Sequence, residues 1–263
     1  MTDEDERSLR AARLIWDCWL AGTTMERLPT ELRPRTRAEG YAIQAHYAQF
    51  SGHALFGWKI AATSAAGQNH IGVSGPMAGR LLKERVFEPG QMLEYGSNRM
   101  AVAEPEFAFC LGKTLAPQAV EYDLEEVLGA VDTLHTGLEF PDSRFSDFTS
   151  VGEEHLIADN ACSHQFVIGT AMPDAWRSID LSKHAVTIGV SGRETNAGTG
   201  ANVFGDPKIA LTWLVNELSR HGISLEAGSF VTTGTCTTPI AIVAGDTVTA
   251  DYGELGQLQA TFT

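Results

Sequence analysis

Residues 101–112 read AVAEPEFAFCLG and place two carboxylates, Glu104 and Glu106, in an otherwise apolar run. The alternation of a β-strand would send both side chains to one face and the phenylalanines that follow to the other. Two adjacent buried carboxylates repel each other, so each takes up a proton or a positive group lies between them. The alternative is a solvent-facing pair on an edge strand, where Pro105 between them would be tolerated.

The composition limits the kind of protein that can contain this strand. The chain has 263 residues, 43% of them hydrophobic and 20% charged, which is enough apolar material for a sizeable core. A formal net charge of −14 argues against nucleic acid or an anionic membrane as a partner. The apolar runs are shorter than the ~20 residues of a membrane helix, and the acidic start MTDEDER is unlike a signal peptide. We therefore expect a soluble cytoplasmic protein.

The remaining sequence predicts an α+β architecture. Residues 54–63 predict a strand that contains Lys59, and residues 64–100 give mixed signals that predict loops and short strands. Beyond residue 229 the chain is rich in Val, Thr and Ile, which favours further strands. Apolar spacing and capping residues predict four helices, within residues 5–22, 36–52, 122–137 and 205–222.

A series of motifs resembles a known family in both content and order. The motifs are GWKIAATS (57–64), EPEFAF (104–109), GLEFPDSR (137–144), ADNACS (158–163), GDPKIALTWLVNEL (205–218) and AGDTVTADYGELGQLQATF (244–262). Together they resemble the 2-keto-4-pentenoate hydratase and 4-oxalocrotonate decarboxylase group of the fumarylacetoacetate hydrolase superfamily, over nearly the whole chain. The resemblance implies an N-terminal helical α+β lobe over residues 1–75 and a catalytic domain with a rolled, mixed β core over residues 76–263.

The resemblance also gives a reason for the paired carboxylates. It implies that Glu104, Glu106 and Glu139 bind one divalent cation, Mg²⁺ or Mn²⁺. Carboxylate oxygens suit such hard ions, and about three coordination positions would remain for water and substrate. Three carboxylates, one dication and a protonated Lys59 sum to zero charge, so an anionic 2-oxo acid can approach despite the acidic chain.

Further site residues are implied by the same resemblance. Lys59 would hold the substrate oxygen or move a proton, and Ser163 would assist it. Asn160 and Ser163 match positions near the substrate carboxylate. On the residues alone, Lys59 could equally be a solvated edge lysine, and Asn160 and Ser163 could be turn residues that satisfy their own backbone.

Three more residues are candidate substrate contacts. Asp142 and Arg144 follow Glu139 closely, where they would orient the ligand and neutralise nearby charge, or form a purely structural turn. Thr235, in the segment TTGTCTTP, could donate its hydroxyl to an anion, although Thr-rich β edges are common.

One position departs from the family pattern. Dienoate hydratases of the family commonly carry an Asp in a Pro-Asp-x-Gly turn, and here Met77 occupies that place. A methionine cannot move a proton, so His164 or metal-bound water would replace it, or the reaction is not dienoate hydration. The His-Glu pair with which the hydrolase branch activates water is not found in this sequence, which argues against C–C hydrolysis.

These expectations converge on a metal-dependent lyase that acts on a 2-oxo acid or a 2-hydroxy-dienoate. Hydration is favoured, in the catabolism of aromatic-derived compounds, with decarboxylation of a 4-oxalocrotonate or enol-keto isomerisation as alternatives. A non-catalytic subunit that stabilises a partner enzyme is a hypothesis of another class. The family resemblance implies a homo-oligomer, with a complex with a pathway enzyme as a further option.

Overall fold

The computed structural model describes residues 2–193 and 195–263. Its helices are α1 (Asp3–Ala21), α2 (Arg37–Ala45), α3 (Tyr47–Ser51), α4 (Ala65–Ile71), α5 (Leu124–Leu128), α6 (Glu153–Ala158) and α7 (Pro207–Arg220). Its strands are β1 (Leu55–Ala61), β2 (Met77–Leu82), β3 (Val86–Phe87), β4 (Met92–Leu93), β5 (Val102–Leu111), β6 (Val131–Phe140), β7 (Gln165–Ile168), β8 (Ala185–Val190), β9 (Thr195–Thr199), β10 (Phe230–Thr235), β11 (Ile240–Ala241), β12 (Thr247–Asp251) and β13 (Gln257–Phe262).

The strands form an eight-stranded and a five-stranded sheet. The larger has the order β2-β1-β10-β5-β6-β7-β3, with β11 also paired to β5, and the smaller has the order β4-β13-β12-β8-β9. Strand β5 is therefore an interior strand, and the edge-strand alternative for the two carboxylates is wrong. The sheet tolerates Pro105 there because it stands beyond the last pair of β10, Thr235 with Glu106, so its missing N–H falls where the β10 ladder has ended.

The two sheets pack on one another through aromatic side chains. The Tyr252 hydroxyl, just after β12, donates to the backbone carbonyls of Glu106 (3.1 Å) and Gly137 (2.6 Å) in the larger sheet. Phe140 of β6 meets Phe262 of β13 edge to face, with ring centroids 4.9 Å apart. The predicted α+β class with a mixed, rolled β core is confirmed.

The N-terminal helices cover one side of the larger sheet. A capping box between Thr2 and Asp5 begins α1, whose buried face includes Trp16 and Trp19. From α2, the Gln44 amide donates to the carbonyls of Ala78 (2.8 Å) and Ile157 (3.0 Å), which fixes the helix on β2 and α6. The first two predicted helices are thus present, the second divided into α2 and α3.

The predicted boundary after residue 75 separates strands that share a sheet. Strand β1 belongs to the predicted lobe, yet it pairs with β2 on one side and β10 on the other. The helices of residues 1–75 form a layer of their own, but their strand is built into the β core. The division into a lobe and a catalytic domain stays a prediction.

The third predicted helix is wrong beyond Leu128. The capping box of Asp123 and Glu126 begins α5, but the helix lasts only to Leu128, and residues 131–140 form β6. Apolar residues at 127, 131 and 134 fit a helical stripe, which is why the pattern misled. Pairing of β6 with both β5 and β7 outweighs that local preference.

Elsewhere the structure adds two helices, α4 and the short α6, and confirms another. Helix α4, capped by Ser64, lies in a region for which the sequence predicted loops and short strands. Helix α7 begins after Asp206, with Pro207 in its first turn, as predicted. Among the helices of the described residues, none has both the length and the apolar character required to cross a bilayer.

Candidate metal centre

Three carboxylates converge on one face of the larger sheet. Glu104 and Glu139 are directly paired across β5 and β6, and Glu106 lies two residues further along β5 on the same face. One carboxylate oxygen from each residue lies within 4.8 Å of those of the other two. Glu106 and Glu139 are almost fully buried, at 0% and 1% exposure. The structure thus brings together the three residues that the sequence predicted as metal ligands.

The oxygens of this cluster are only partly satisfied. The Thr232 hydroxyl and the Gly234 N–H, at 2.8 Å for the latter, both donate to Glu106 Oε2. Within the described residues, five buried side-chain N or O atoms have no hydrogen-bond partner, and three of them are Glu106 Oε1 and both oxygens of Glu139. Unpartnered buried carboxylate oxygens are costly unless a cation or proton binds them.

Among the described residues, Lys59 is the one cation in contact with the cluster. Its side chain is 3% exposed, and its Nζ lies 3.1 Å from Glu139 Oε1, in an ion pair without the alignment of a hydrogen bond. The Nζ also donates to the Ala161 carbonyl at 3.1 Å. The alternative of a solvated edge lysine is therefore wrong.

The charges of the cluster shift one another's pKa values. Burial, and next the Glu139 carboxylate, raise the pKa of Glu104 to about 7, although Lys59 opposes the shift. Burial and the two neighbouring carboxylates raise the pKa of Glu106 well above its usual value. Burial opposes the charge of Lys59, but the carboxylates, Glu139 first, outweigh it and raise its pKa, so Lys59 is a cation at neutral pH.

A left-handed turn supports Lys59 from the side of β2. Asn160, Ala161 and Cys162 have positive φ angles of 57°, 50° and 60°, which is unusual for three consecutive residues other than glycine. Asn160 fixes the turn by accepting from the Arg80 N–H (2.6 Å) and donating to the Arg80 carbonyl (2.8 Å). The turn directs the Ala161 carbonyl at Lys59, so strain here serves the placement of the lysine.

The other predicted site residues on this turn and beside it are occupied by internal contacts. The Ser163 hydroxyl donates to the Arg80 carbonyl at 3.1 Å. Asn160 uses both ends of its amide on the backbone of Arg80 in β2, so it joins two distant segments and does not satisfy its own backbone, contrary to the turn-residue alternative. The roles of Lys59 and Ser163 in catalysis, and of Asn160 and Ser163 in substrate binding, stay predictions.

Asp142 and Arg144 hold the loop after β6. Arg144 pairs with Asp159, donates to the carbonyls of Asp142 (2.8 Å) and Ser163 (3.0 Å), and lies over the Trp19 ring. The Asp142 carboxylate accepts from the backbone N–H groups of Arg99 and Met100, in the loop that leads into β5. These contacts favour the structural alternative, while contact of either residue with a substrate stays a prediction.

Thr235, Met77 and His164 complete the predicted set. The Thr235 hydroxyl donates to the Thr237 carbonyl at 3.0 Å within its own loop, and its contact with substrate stays a prediction. Met77 is fully buried in the core. His164 accepts from the Trp19 indole N–H at 2.9 Å, and burial, followed by the nearby arginines, lowers its pKa to about 3. His164 is thus uncharged at neutral pH.

Sequence reasoning missed the residues that position Glu106. In the segment TTGT the sequence pattern indicated Thr235 as a candidate contact. The register shift in β10 instead directs the Thr232 hydroxyl to the Glu106 carboxylate. Gly234 has a φ of 107°, and a Cβ built on it would lie 2.1 Å from Thr63 Oγ1, so only glycine fits where its N–H reaches Glu106. No local pattern in the sequence marks this bulge.

Sequence comparisons place this chain among known proteins. The family model described as "Fumarylacetoacetate (FAA) hydrolase C-terminal" matches residues 80–263. The chain is 31% identical to a 2-keto-4-pentenoate hydratase of Burkholderia vietnamiensis over 100% of both chains. It is 32% identical to a 4-oxalocrotonate decarboxylase of a Pseudomonas species, over 79% of this chain and 78% of the relative.

Structural comparison gives the same result. The 4-oxalocrotonate decarboxylase from Pseudomonas putida G7, solved in complex with magnesium and adipate, superposes with a TM-score of 0.88 at 26% identity over 98% of each chain. The same enzyme has also been solved with calcium and acetate, with a TM-score of 0.86 over the same share of each chain.

The rolled sheet with three carboxylates and a buried lysine on one face defines a class of enzymes rather than of structural proteins. The chain belongs to the fumarylacetoacetate hydrolase family. Within that family, its relatives include hydratases and decarboxylases. The family predicted from the motif order is confirmed.

Proposed function

We propose that Glu104, Glu106 and Glu139 bind one divalent cation, Mg²⁺ or Mn²⁺. The single observation that carries the proposal is the set of three buried oxygens on Glu106 and Glu139 that have no hydrogen-bond partner and lie close to Glu104. Three carboxylates and Lys59 sum to −2 when all are ionised, so one dication makes the cluster neutral. Carboxylate-only donor sets fit hard cations. The magnesium and calcium complexes of the similar decarboxylase support the assignment.

The reaction that this arrangement supports best is lyase chemistry on a 2-oxo acid. A bound divalent cation supplies Lewis acidity that stabilises negative charge developing on such a substrate. Lys59 has three N–H donors, of which one is directed at Ala161 and one faces Glu139. The third donor is available to hold the substrate oxygen or to deliver a proton, in a site from which bulk water is largely excluded.

The substrate class that we favour is a 2-hydroxy-2,4-dienoate. The protein would add water to it, as a 2-keto-4-pentenoate hydratase does, in the catabolism of aromatic-derived compounds. Relatives with this name and with the name 2-hydroxyhexa-2,4-dienoate hydratase align over the full chain. The intact carboxylate cluster and Lys59 argue against the alternative of a non-catalytic partner subunit, because like charges held together in a core destabilise a protein that does not use them.

Decarboxylation of a 4-oxalocrotonate is the second candidate, and Met77 is the observation that favours it. This buried side chain stands where dienoate hydratases of the family commonly carry an acid, and His164 is uncharged and bonded to Trp19. Loss of CO₂ needs stabilised negative charge but no base to remove a proton from carbon, so the site could perform it without that acid. Enol-keto isomerisation would need a proton carrier that Met77 does not provide.

The absorbance of 2-hydroxypenta-2,4-dienoate tests the proposed reaction. We expect purified protein with Mg²⁺ or Mn²⁺ to remove the ultraviolet absorbance of the dienoate and to form 4-hydroxy-2-oxopentanoate. Excess chelator should stop the decay. Decay that continues unchanged in chelator would disprove the metal proposal, whereas metal binding without decay would move the assignment to decarboxylation, assayed with 4-oxalocrotonate.

We further propose a homo-oligomer located in the cytoplasm, with or without a pathway enzyme bound to it. The family resemblance supports the oligomer, and light scattering after size-exclusion chromatography tests it against a 28.4 kDa chain.

A further inference from the structure

A second cavity lies on the opposite face of the larger sheet from the carboxylate cluster. It encloses about 430 Å³ and is lined by Trp58 and Arg80, apolar residues such as Leu55, and the segment that follows α7 from Ile223. Trp58 directly precedes Lys59 on β1, so the two side chains point to opposite faces. Arg80 is paired with Trp58 across β1 and β2 and shares its face. A ligand in this cavity is therefore separated from Lys59 by the sheet.

Arg80 is a buried cation without a carboxylate partner. It is 7% exposed, and among the described residues its guanidinium forms no ion pair. Its one recorded side-chain hydrogen bond runs from Nη1 to Gln44 Oε1 at 3.2 Å, and its guanidinium carbon lies 4.4 Å from the centre of the Trp58 ring. Burial lowers the pKa of Arg80 to about 10, so it still carries its charge at neutral pH.

A buried arginine normally has an anionic partner, because a guanidinium loses its hydration on burial and has five N–H donors to satisfy. Gln44 takes one donor and the Trp58 ring covers one face, while the described residues offer the other guanidinium donors no further partner, and Arg80 lines the cavity. Two parallel N–H groups of this kind match the two oxygens of a carboxylate.

We propose that this cavity binds a small organic monocarboxylate with a flat, apolar body. The carboxylate would accept from the edge of Arg80, and the body would lie between Trp58 and the apolar side chains of Leu55 and Ile223. The charge is limited to one because Glu226 stands at the wall of the cavity and the chain as a whole is acidic. Among the described residues no ion pair joins Glu226 to Arg80, and the Glu226 carboxylate instead accepts from the Thr114 hydroxyl at 3.0 Å.

Calorimetric titration with benzoate, in excess chelator, tests this proposal without use of the carboxylate cluster or of turnover. We expect benzoate to bind saturably and uncharged benzamide to bind at least about tenfold more weakly. In Arg80→Met, benzoate affinity should fall at least about tenfold, because one charge-assisted hydrogen-bonded pair is removed. Arg10→Met, which removes an exposed arginine from α1, should bind benzoate as the parent protein does.

Three results would overturn the proposal: no saturable benzoate binding to the parent protein, equal affinity for benzamide, or equal benzoate affinity in Arg80→Met. If Arg80→Met fails to fold, Ser224→Phe replaces it, because this larger side chain fills the cavity from its wall without touching the charge. Unchanged benzoate affinity in a folded Ser224→Phe protein would then decide against the site, and lost affinity would support it. Since the titration involves no dienoate and no metal, its outcome is independent of the proposed lyase activity.

Discussion

At the scale of single residues, the two glutamates of β5 have different surroundings. Glu106 is fully buried, with one oxygen fixed by Thr232 and Gly234 and the other without a partner, whereas Glu104 is partly exposed. One oxygen is held by the protein and the other faces the cluster, so Glu106 is the pre-organised ligand of the proposed centre. Lys59 also contacts the cluster, but its protonated amine is itself a cation and cannot be a metal ligand.

Glu106→Gln tests the ligand assignment. The substitution removes one negative charge and one oxygen without a change of volume, so we expect calorimetry to show no Mg²⁺ binding. Turnover should fall by more than about 100-fold, which is the upper end of the loss seen when only a partner of a metal ligand is changed. Glu125→Gln, on the exposed side of α5, serves as the matched control. Normal metal affinity in Glu106→Gln would remove this residue from the centre.

Lys59→Met separates metal binding from chemistry. The variant keeps an unbranched side chain one atom shorter than lysine but loses its charge and donors. We expect kcat to fall while Mg²⁺ affinity is retained or rises, because a positive charge that competes for Glu139 is gone. A variant with normal kcat would show that Lys59 neutralises charge only.

At the scale of elements, a cluster of charges joins α2 to α7. Glu217 of α7 accepts from Arg37 (3.1 Å) and Tyr41 (3.0 Å) of α2 and pairs with Arg220 of its own helix (2.9 Å). His221 at the end of α7 lies 3.6 Å from the same carboxylate. Burial opposes the charge of Glu217, but the neighbouring His221, Arg220 and Arg37 outweigh it and hold the pKa of Glu217 well below its usual 4.5.

Glu217→Gln should therefore lower the free energy of unfolding by about 2 kcal/mol at neutral pH, the order expected for loss of charge-assisted hydrogen bonds. Because the folded-state pKa lies below the unfolded one, the contribution is complete above about pH 4.5 and declines as the pH falls below that value. Denaturant unfolding at a series of pH values measures this. Glu121→Gln removes an exposed partner of Arg220 and should change stability little. A Glu217→Gln effect that stays constant down to pH 2 would contradict the linkage.

At the scale of the whole molecule, the helical layer and the β core are joined by β1. This strand lies between β2 and β10, and it carries Lys59 to one face of the sheet and Trp58 to the other. The candidate metal centre and the second cavity therefore both depend on a strand from the first 75 residues.

A fragment of residues 76–263 tests how closely the two predicted regions depend on one another. Without β1, both β2 and β10 would expose unpaired backbone and apolar surface, so we expect the fragment to lack the cooperative thermal unfolding of the full chain. Circular dichroism during heating makes the comparison. A fragment that unfolds cooperatively would show that residues 76–263 are an independent domain and that β1 is an accessory to it.

The sequence by itself determined the α+β class, from strand and capping signals, and placed Glu104 and Glu106 on one face through strand alternation. The order of motifs determined the family, and the resemblance to it added Glu139. Only the tertiary structure decided that residues 131–140 form a strand, since pairing on both sides outweighs a local helical pattern. It also decided that a register shift in β10 brings the Thr232 hydroxyl to the Glu106 carboxylate, and that a left-handed turn directs the Ala161 carbonyl at Lys59. Such contacts join residues far apart in the chain, and no local pattern encodes them.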